Sequence, residues 1–158
     1  MMLDRIEVSG FKSIRELKLD LHSLNVLIGA NGSGKSNFIA LFELLNHVVG
    51  GSFQLFVAKG GGAESFLYYG QKSTEEIKIS LYFGDNAYRC TLVPTANDTL
   101  VFGHEIVFYH DKIFHKPYGR GIGSGHRESE LQIKASYSPR NIESVSYTHL
   151  TLPTKRIV

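Results

Sequence analysis

Tryptophan is absent from these 158 residues, and cysteine occurs once, at Cys90. A lone thiol closes no intramolecular disulfide, so a packed core must hold the fold, and the composition suits the cytoplasm. Cys90 sits in a run that alternates like a strand, where a small buried apolar residue is its simplest role. No stretch of about 18 apolar residues occurs, which excludes a membrane-spanning helix within the sequence. The opening Met1-Met2-Leu3-Asp4-Arg5 lacks the apolar centre of a signal peptide. An excess of one charge is also missing. The formal net charge is +2, from 17 basic and 15 acidic residues, and Lys155 and Arg156 near the end supply the difference. Without them the signs balance, so no global electrostatic attraction to nucleic acid remains.

What is present is strong local periodicity. Arg5 to Ser9 alternates as a short strand, Gly10-Phe11-Lys12-Ser13 breaks it, and Ile14 to Leu21 alternates again with Leu17, Leu19 and Leu21 on one face. Asn25-Val26-Leu27-Ile28 is a short apolar run ending at glycine, the pattern of a buried strand. Ser36 to Val49 reads as a helix, with Phe38, Leu41, Phe42, Leu45 and Val49 at helical spacing, and Gly50-Gly51 stops it. Ser52 to Lys59 reads as a short second helix before Gly60-Gly61-Gly62. From Glu75 the period becomes two. Ile77 to Phe83, Tyr88 to Leu92, Leu100 to Phe102 and Ile106 to Tyr109 form an antiparallel meander, with turns at Gly84-Asp85-Asn86 and Thr95 to Asp98. Residues 112–143 are rich in glycine and charge with weak periodicity and read mostly as loop.

Gly29-Ala30-Asn31-Gly32-Ser33-Gly34-Lys35-Ser36 fits G-x-x-x-x-G-K-[ST] without a gap. A polyphosphate is held by inward-pointing backbone amides, and glycines permit the necessary dihedrals and close approach. The helix that follows presents free amides and the positive end of its dipole. Lys35 supplies a compact charge for the β- and γ-phosphates, and Ser36 a hard oxygen for Mg²⁺. The loop follows an apolar run and opens an amphipathic helix, the context a phosphate-binding loop requires. ATP and Mg are therefore the expected ligands.

Ile6-Glu7-Val8-Ser9-Gly10-Phe11-Lys12-Ser13-Ile14, two short strands, and then the loop followed by Asn37 resemble the start of an ABC-type ATPase head. More narrowly, they resemble AAA family ATPases related to structural-maintenance-of-chromosomes heads and OLD-family nucleases. The resemblance covers about residues 3–110 and is specific at 6–37. It implies an α/β P-loop NTPase fold with an ABC-ATPase-like mixed sheet and an antiparallel β-subdomain at Glu75 to His110. It places Asn37 beside the nucleotide and Lys12 near the nucleotide or DNA, although by position alone Lys12 reads equally as an exposed lysine at a strand end. It also implies ATP-driven pairing of two heads as a homodimer, with nucleic acid as a further partner, in DNA repair, chromosome maintenance or phage defence. A non-hydrolysing, nucleotide-dependent scaffold for an effector such as a nuclease is the alternative.

Such heads also carry a Q-loop, a signature motif, a Walker B Asp-Glu and a switch histidine, and none is identifiable here. Ile77 to Phe83 ends at Gly84-Asp85 but alternates like a hairpin arm. Ile106 to Tyr109 ends at His110-Asp111 without the acidic pair. Gly121-Ile122-Gly123-Ser124-Gly125-His126 lacks a preceding strand and a following apolar helix, so it reads as a flexible loop. His104, His110, His115 and Asp111 lack the spacing of a metal site. Lys112, Lys116, Arg120 and Arg127, with Phe114 and Tyr118, could track a nucleic-acid backbone but read first as a solvated loop. No catalytic residue is assigned. The parent protein is expected to be an ATPase, and this chain to be inactive alone.

The end, Ser144 to Val158, fits none of these patterns. Val145-Ser146-Tyr147-Thr148-His149-Leu150-Thr151-Leu152-Pro153-Thr154 resembles one translated frame of a transposon-library sequencing adapter. Native sequence is then expected to stop near Glu143. Residues 1–143 would be the N-terminal part of an incomplete head domain, and residues 144–158 a non-native tail. An incomplete sheet is expected to leave apolar faces of the first strands and of the 36–49 helix uncovered.

Overall fold

The computed structural model describes residues 2–111, 116–131 and 133. In chain order the elements are β1 (Arg5–Phe11), β2 (Ile14–Asp20), α1 (Lys35–Val49), α2 (Phe53–Lys59), a 3₁₀ turn (Ala63–Ser65), β3 (Ile77–Phe83), β4 (Asn86–Pro94), β5 (Leu100–Asp111) and β6 (Lys116–Gly123). The strands form one six-stranded sheet in the order β2-β1-β3-β4-β5-β6. Every described pairing is antiparallel. The period-two residues drive this arrangement. Ile77 faces Leu92, Ile79 faces Cys90 and Leu81 faces Tyr88 across β3 and β4, so one face of the sheet collects the apolar side chains. Ile6, Val8, Ile77, Ile79, Leu92 and Phe102 are buried there. Leu41, Leu44, Leu45 and Val48 of α1, and Phe53 and Val57 of α2, complete the same core. The opposite face carries Arg5, Tyr82, Arg89 and Phe108, whose guanidinium groups lie over the rings at 4.7 to 5.9 Å.

Three features depart from the sequence pattern. Asn25 to Ile28 is not a buried strand. The segment is irregular, with Val26 66 % and Ile28 90 % exposed. A strand needs a neighbouring ladder, and among the described residues this segment pairs with none of the six strands. Exposed apolar side chains among the described residues thus include Leu24, Val26 and Ile28 here, whereas Leu41, Phe42, Leu44, Leu45 and Val48 of α1 are buried. Second, residues 116–123 form β6 rather than loop. Their pairing with β5 absorbs a register shift beside Glu105, the kind of irregularity that hides a strand from a strict period-two reading. Likewise Leu100 to Asp111 is one strand, interrupted at Gly103 by a register shift against β4. Third, Gly121 to His126 is no flexible loop. Its first three residues end β6, the Gly125 amide donates to the Phe102 carbonyl at 2.7 Å, and the Phe102 amide donates to the His126 carbonyl at 2.9 Å.

That anchoring has a polar centre. Glu105 points into the core from β5 and is fully buried. Its carboxyl oxygens accept from the Tyr88 hydroxyl at 2.7 Å, the Ser129 hydroxyl and the Glu130 amide at 3.0 Å. His126 Nε2 lies 2.8 Å away, and its ring stacks on Phe102. Burial is tolerable because each oxygen finds donors. The same segment sends Glu128 to the start of α2, where its carboxylate accepts from the amides of Phe53 and Gln54, both at 2.9 Å. Removing the Glu105 carboxyl strands several buried donors at once. Glu105→Ala is expected to lower the unfolding free energy by about 3 kcal/mol, read from urea denaturation. A loss below about 1 kcal/mol would show that the network holds nothing.

Burial in this network pushes the Cys90 thiol up to about 12 from its ordinary 9.0, a rise that the Tyr88 hydrogen bond opposes and the nearby Glu105 charge reinforces. Because the folded value is the higher one, the stability gained from the neutral thiol is complete below pH 9.0 and is lost as the pH rises toward about 12. At pH 8.5 native Cys90 is expected to resist alkylation by iodoacetamide and to react readily in urea. Equal rates in the two conditions would contradict its burial.

Candidate functional site

The phosphate-loop pattern occupies the bend between the exposed 24–28 segment and α1. Gly32 and Gly34 have φ of +84° and +94°, a region that L side chains avoid. Gly34 is also the N-cap residue of α1. Its left-handed backbone turns the chain abruptly into the helix, so the last loop amides and the first helical amides face one side. No side chain caps this helix, and no acidic residue stands in its first turn. Its free amides and positive dipole end are thus left for an anionic partner.

Lys35 is the first residue of α1. Its ammonium donates back to the carbonyls of Gly29 at 2.5 Å and Ala30 at 2.8 Å, and to the Ser33 hydroxyl at 3.3 Å. All three protons are therefore aimed within the loop. The Ser33 amide closes a tight turn onto the Ala30 carbonyl at 3.2 Å. Asn31 lies in that turn, exposed. Ser36 sits one residue into the helix with its hydroxyl accessible to solvent. Among the described residues, no carboxylate hydrogen-bonds to Gly29 through Ser36.

Asn37 does more than follow the serine. Its amide nitrogen donates to the Ser13 hydroxyl at 2.7 Å, fastening the start of α1 to the turn between β1 and β2. Lys12, in the same turn, has φ of +48°. Its amide donates to the Phe66 carbonyl at 2.8 Å, and its ammonium lies 4.8 Å over the Phe66 ring. Lys12, Ser13 and Asn37 line one open cleft of about 540 Å³ together with Glu64, Tyr68 and Tyr69. The structure so brings the loop, Asn37 and the Lys12-Ser13 turn side by side. Ser65, Leu67 and Gly70 line the same cleft, and nothing in the spacing of these residues points toward Asn37, roughly thirty residues earlier in the sequence.

The other sequence candidates lie elsewhere. Asp85 is in the β3–β4 turn and His104 is exposed on β5. Lys112, Phe114 and His115 fall outside the described residues, as does the segment from Lys134 to Val158. Among the described residues, no three His, Cys, Asp or Glu side chains could jointly hold a metal ion, and no helix is long and apolar enough to cross a membrane.

A family model described as "AAA ATPase domain" matches residues 1–147. "Uncharacterized protein YbjD" of Escherichia coli (strain K12) is 47% identical over 45 residues, which is 28% of this chain and 8% of that protein. The similarity therefore spans less than a tenth of the E. coli protein's length. A solved chain from "Structural biochemistry of ATP-driven dimerization and DNA stimulated activation of SMC ATPases" aligns with a TM-score of 0.46 at 17% identity, covering 65% of this chain and 68% of that one.

The φ of Gly34 generates a test of the loop geometry. Gly34→Ala is expected to cost about 1–2 kcal/mol in thermal or urea unfolding, whereas Asn46→Ala on the exposed side of α1 is expected to be neutral or stabilising. Equal effects from the two variants would mean that the left-handed start of the helix is not required.

Proposed function

The chain belongs to the AAA ATPase domain family, and on that premise we propose that Gly29 to Ser36 binds the phosphates of Mg-ATP. The observation that carries this reading is a complete phosphate loop opening a helix whose first turn is free of acids and side-chain caps. Amides of Asn31 to Ser36 would surround the phosphate oxygens. Of the three Lys35 contacts, the one to the Ser33 hydroxyl is longest at 3.3 Å, and a phosphate oxygen is the stronger acceptor to replace it. The Ser36 hydroxyl would hold Mg²⁺, which when bound neutralises charge between the β- and γ-phosphates. Asn37 keeps the helix start in register with the first hairpin. Lys12 adds a positive charge beside the loop.

Hydrolysis needs an acidic residue on the metal and a carboxylate to orient water. No carboxylate contacts the loop among the described residues, so this chain is proposed to bind ATP without useful turnover. The whole protein is proposed to hydrolyse ATP as one of a pair of heads acting on DNA, in repair, chromosome maintenance or phage defence. This finer reading rests on the resemblance of the Gly10-Phe11-Lys12-Ser13 and loop motifs. Residues 1–143 would then be the N-terminal part of the head, and 144–158 a tail whose removal leaves stability unchanged.

Equilibrium binding and phosphate release test the reading. Lys35→Ala is expected to weaken ATP binding by roughly 100-fold or more, the equivalent of losing charge-assisted hydrogen bonds. Unchanged affinity would remove the proposal. Robust phosphate release by this chain, abolished in Lys35→Ala, would mean that it contains a catalytic carboxylate.

A further inference from the structure

We propose that Tyr69 is the stacking platform for the base of the bound nucleotide, so that the aromatic contact comes from the chain after the phosphate loop and not before it. The proposal rests on the phosphate-loop reading above and extends it to the nucleoside. Before Gly29 the chain has a single Phe, Tyr or Trp, Phe11. Phe11 is fully buried, packed on Phe66, and offers no face to a ligand. Among the described residues before Gly29, no Phe, Tyr or Trp therefore presents its face to a ligand.

Tyr69 meets the requirements. Its residue is 78 % exposed, and its φ is +56°, uncommon for a non-glycine residue outside special sites. An exposed ring alone would need no explanation. Here the backbone on both sides of it is fastened. The Tyr68 amide donates to the Gly10 carbonyl at 2.9 Å, and the Gly70 amide to the Leu67 carbonyl at 3.1 Å. The Thr74 hydroxyl donates to the Tyr68 carbonyl. The Gln71 amide donates to the Glu64 carboxylate at 2.8 Å. The turn is rigid while the ring it displays is free on one face. Tyr68 meets that ring edge-on, with centroids 4.6 Å apart, which limits its swing.

The position fits as well. Tyr69 lines the same cleft as Lys12, Ser13 and Asn37, and Asn37 directly follows the loop in the first turn of α1, so a ligand whose phosphates sit on that turn can extend its other end past Asn37 toward Tyr69. Among the described residues, the other exposed large aromatic, Tyr118, stands on β6 at the far edge of the sheet. Stacking tolerates different bases because each has a π-face.

The test separates the nucleoside from the phosphates. The chain, Tyr69→Asn and Tyr69→Phe are titrated with Mg-ATP and with Mg-inorganic triphosphate, which has no base. Asparagine accepts positive φ, so the first variant removes the ring without straining the turn. Tyr69→Asn is expected to bind ATP at least about fivefold more weakly and triphosphate as tightly as the parent, with Tyr69→Phe retaining ATP affinity. Parent-like ATP affinity in Tyr69→Asn, or equal losses for ATP and triphosphate, would overturn the proposal. Failure of the parent to bind triphosphate would instead overturn the phosphate-loop reading, and this proposal with it.

Discussion

A helix leaves its first amides without partners, and the first turn of α1 answers that requirement in an unusual way. Most helices in a folded chain satisfy those groups with a Ser, Thr, Asp or Asn side chain or place an acid nearby. Here Gly34 caps with no side chain and the turn has no acid. By contrast α2, with no cap bond from Ser52, receives the carboxylate of Glu128 from across the sequence. Two helices of the same chain thus treat the same deficit differently. One is closed by the protein itself and the other is kept open. The rest of the fold serves the open one: the sheet buries Leu41, Leu44 and Leu45 of α1, and the first hairpin holds Asn37.

The segment 124–131 shows how that rigidity reaches the far edge. It has few apolar residues, so hydrophobic burial cannot hold it. Glu105 and Glu128 do so through hydrogen bonds, one fully buried and the other at a helix start. A carboxyl group in the core is costly unless fully satisfied. The four contacts at Glu105 come from β4 and from the 126–130 segment, so the last described turn is locked onto the sheet by polar geometry.

What the sequence discloses and what it conceals divide along physical lines. The hairpins of β1–β2 and β3–β4 and the face of α1 are legible because burial on one side imposes a period on the residues. The pattern at Gly29 to Ser36 is legible because it sets residue types at fixed spacing, and it falls at the turn into α1. Val26 to Ile28 misleads: its composition is that of a buried strand, yet a strand is defined by its neighbours, and this segment pairs with none of the described strands. β6 is hidden by its glycines and by the shift opposite Glu105. Glu105 itself is invisible, since a lone acid in an alternating run normally faces water, and its donors lie seventeen to twenty-five residues away. The Tyr69 side of the cleft is hidden for the same reason, meeting Lys12, Ser13 and Asn37 only through space.

The loop's own shape is set from within. The 24–28 segment before it is exposed, and most of the loop is solvent-facing. Packing from outside is slight, with Ser13 approaching from the hairpin side. The inner tie is Lys35. By donating to the carbonyls of Gly29 and Ala30, it joins the first residues of the loop to the first residue of the helix and closes a ring through its side chain. One residue therefore supplies both the charge proposed to meet a phosphate and a tie that holds the curvature of the loop. A compact ammonium with three rotatable donors suits a tie among three oxygens. A guanidinium, planar and fork-shaped, carries the same charge but cannot converge on them. Charge conservation at position 35 is thus insufficient. The loop needs lysine because its geometry and its electrostatics are made by the same three hydrogens.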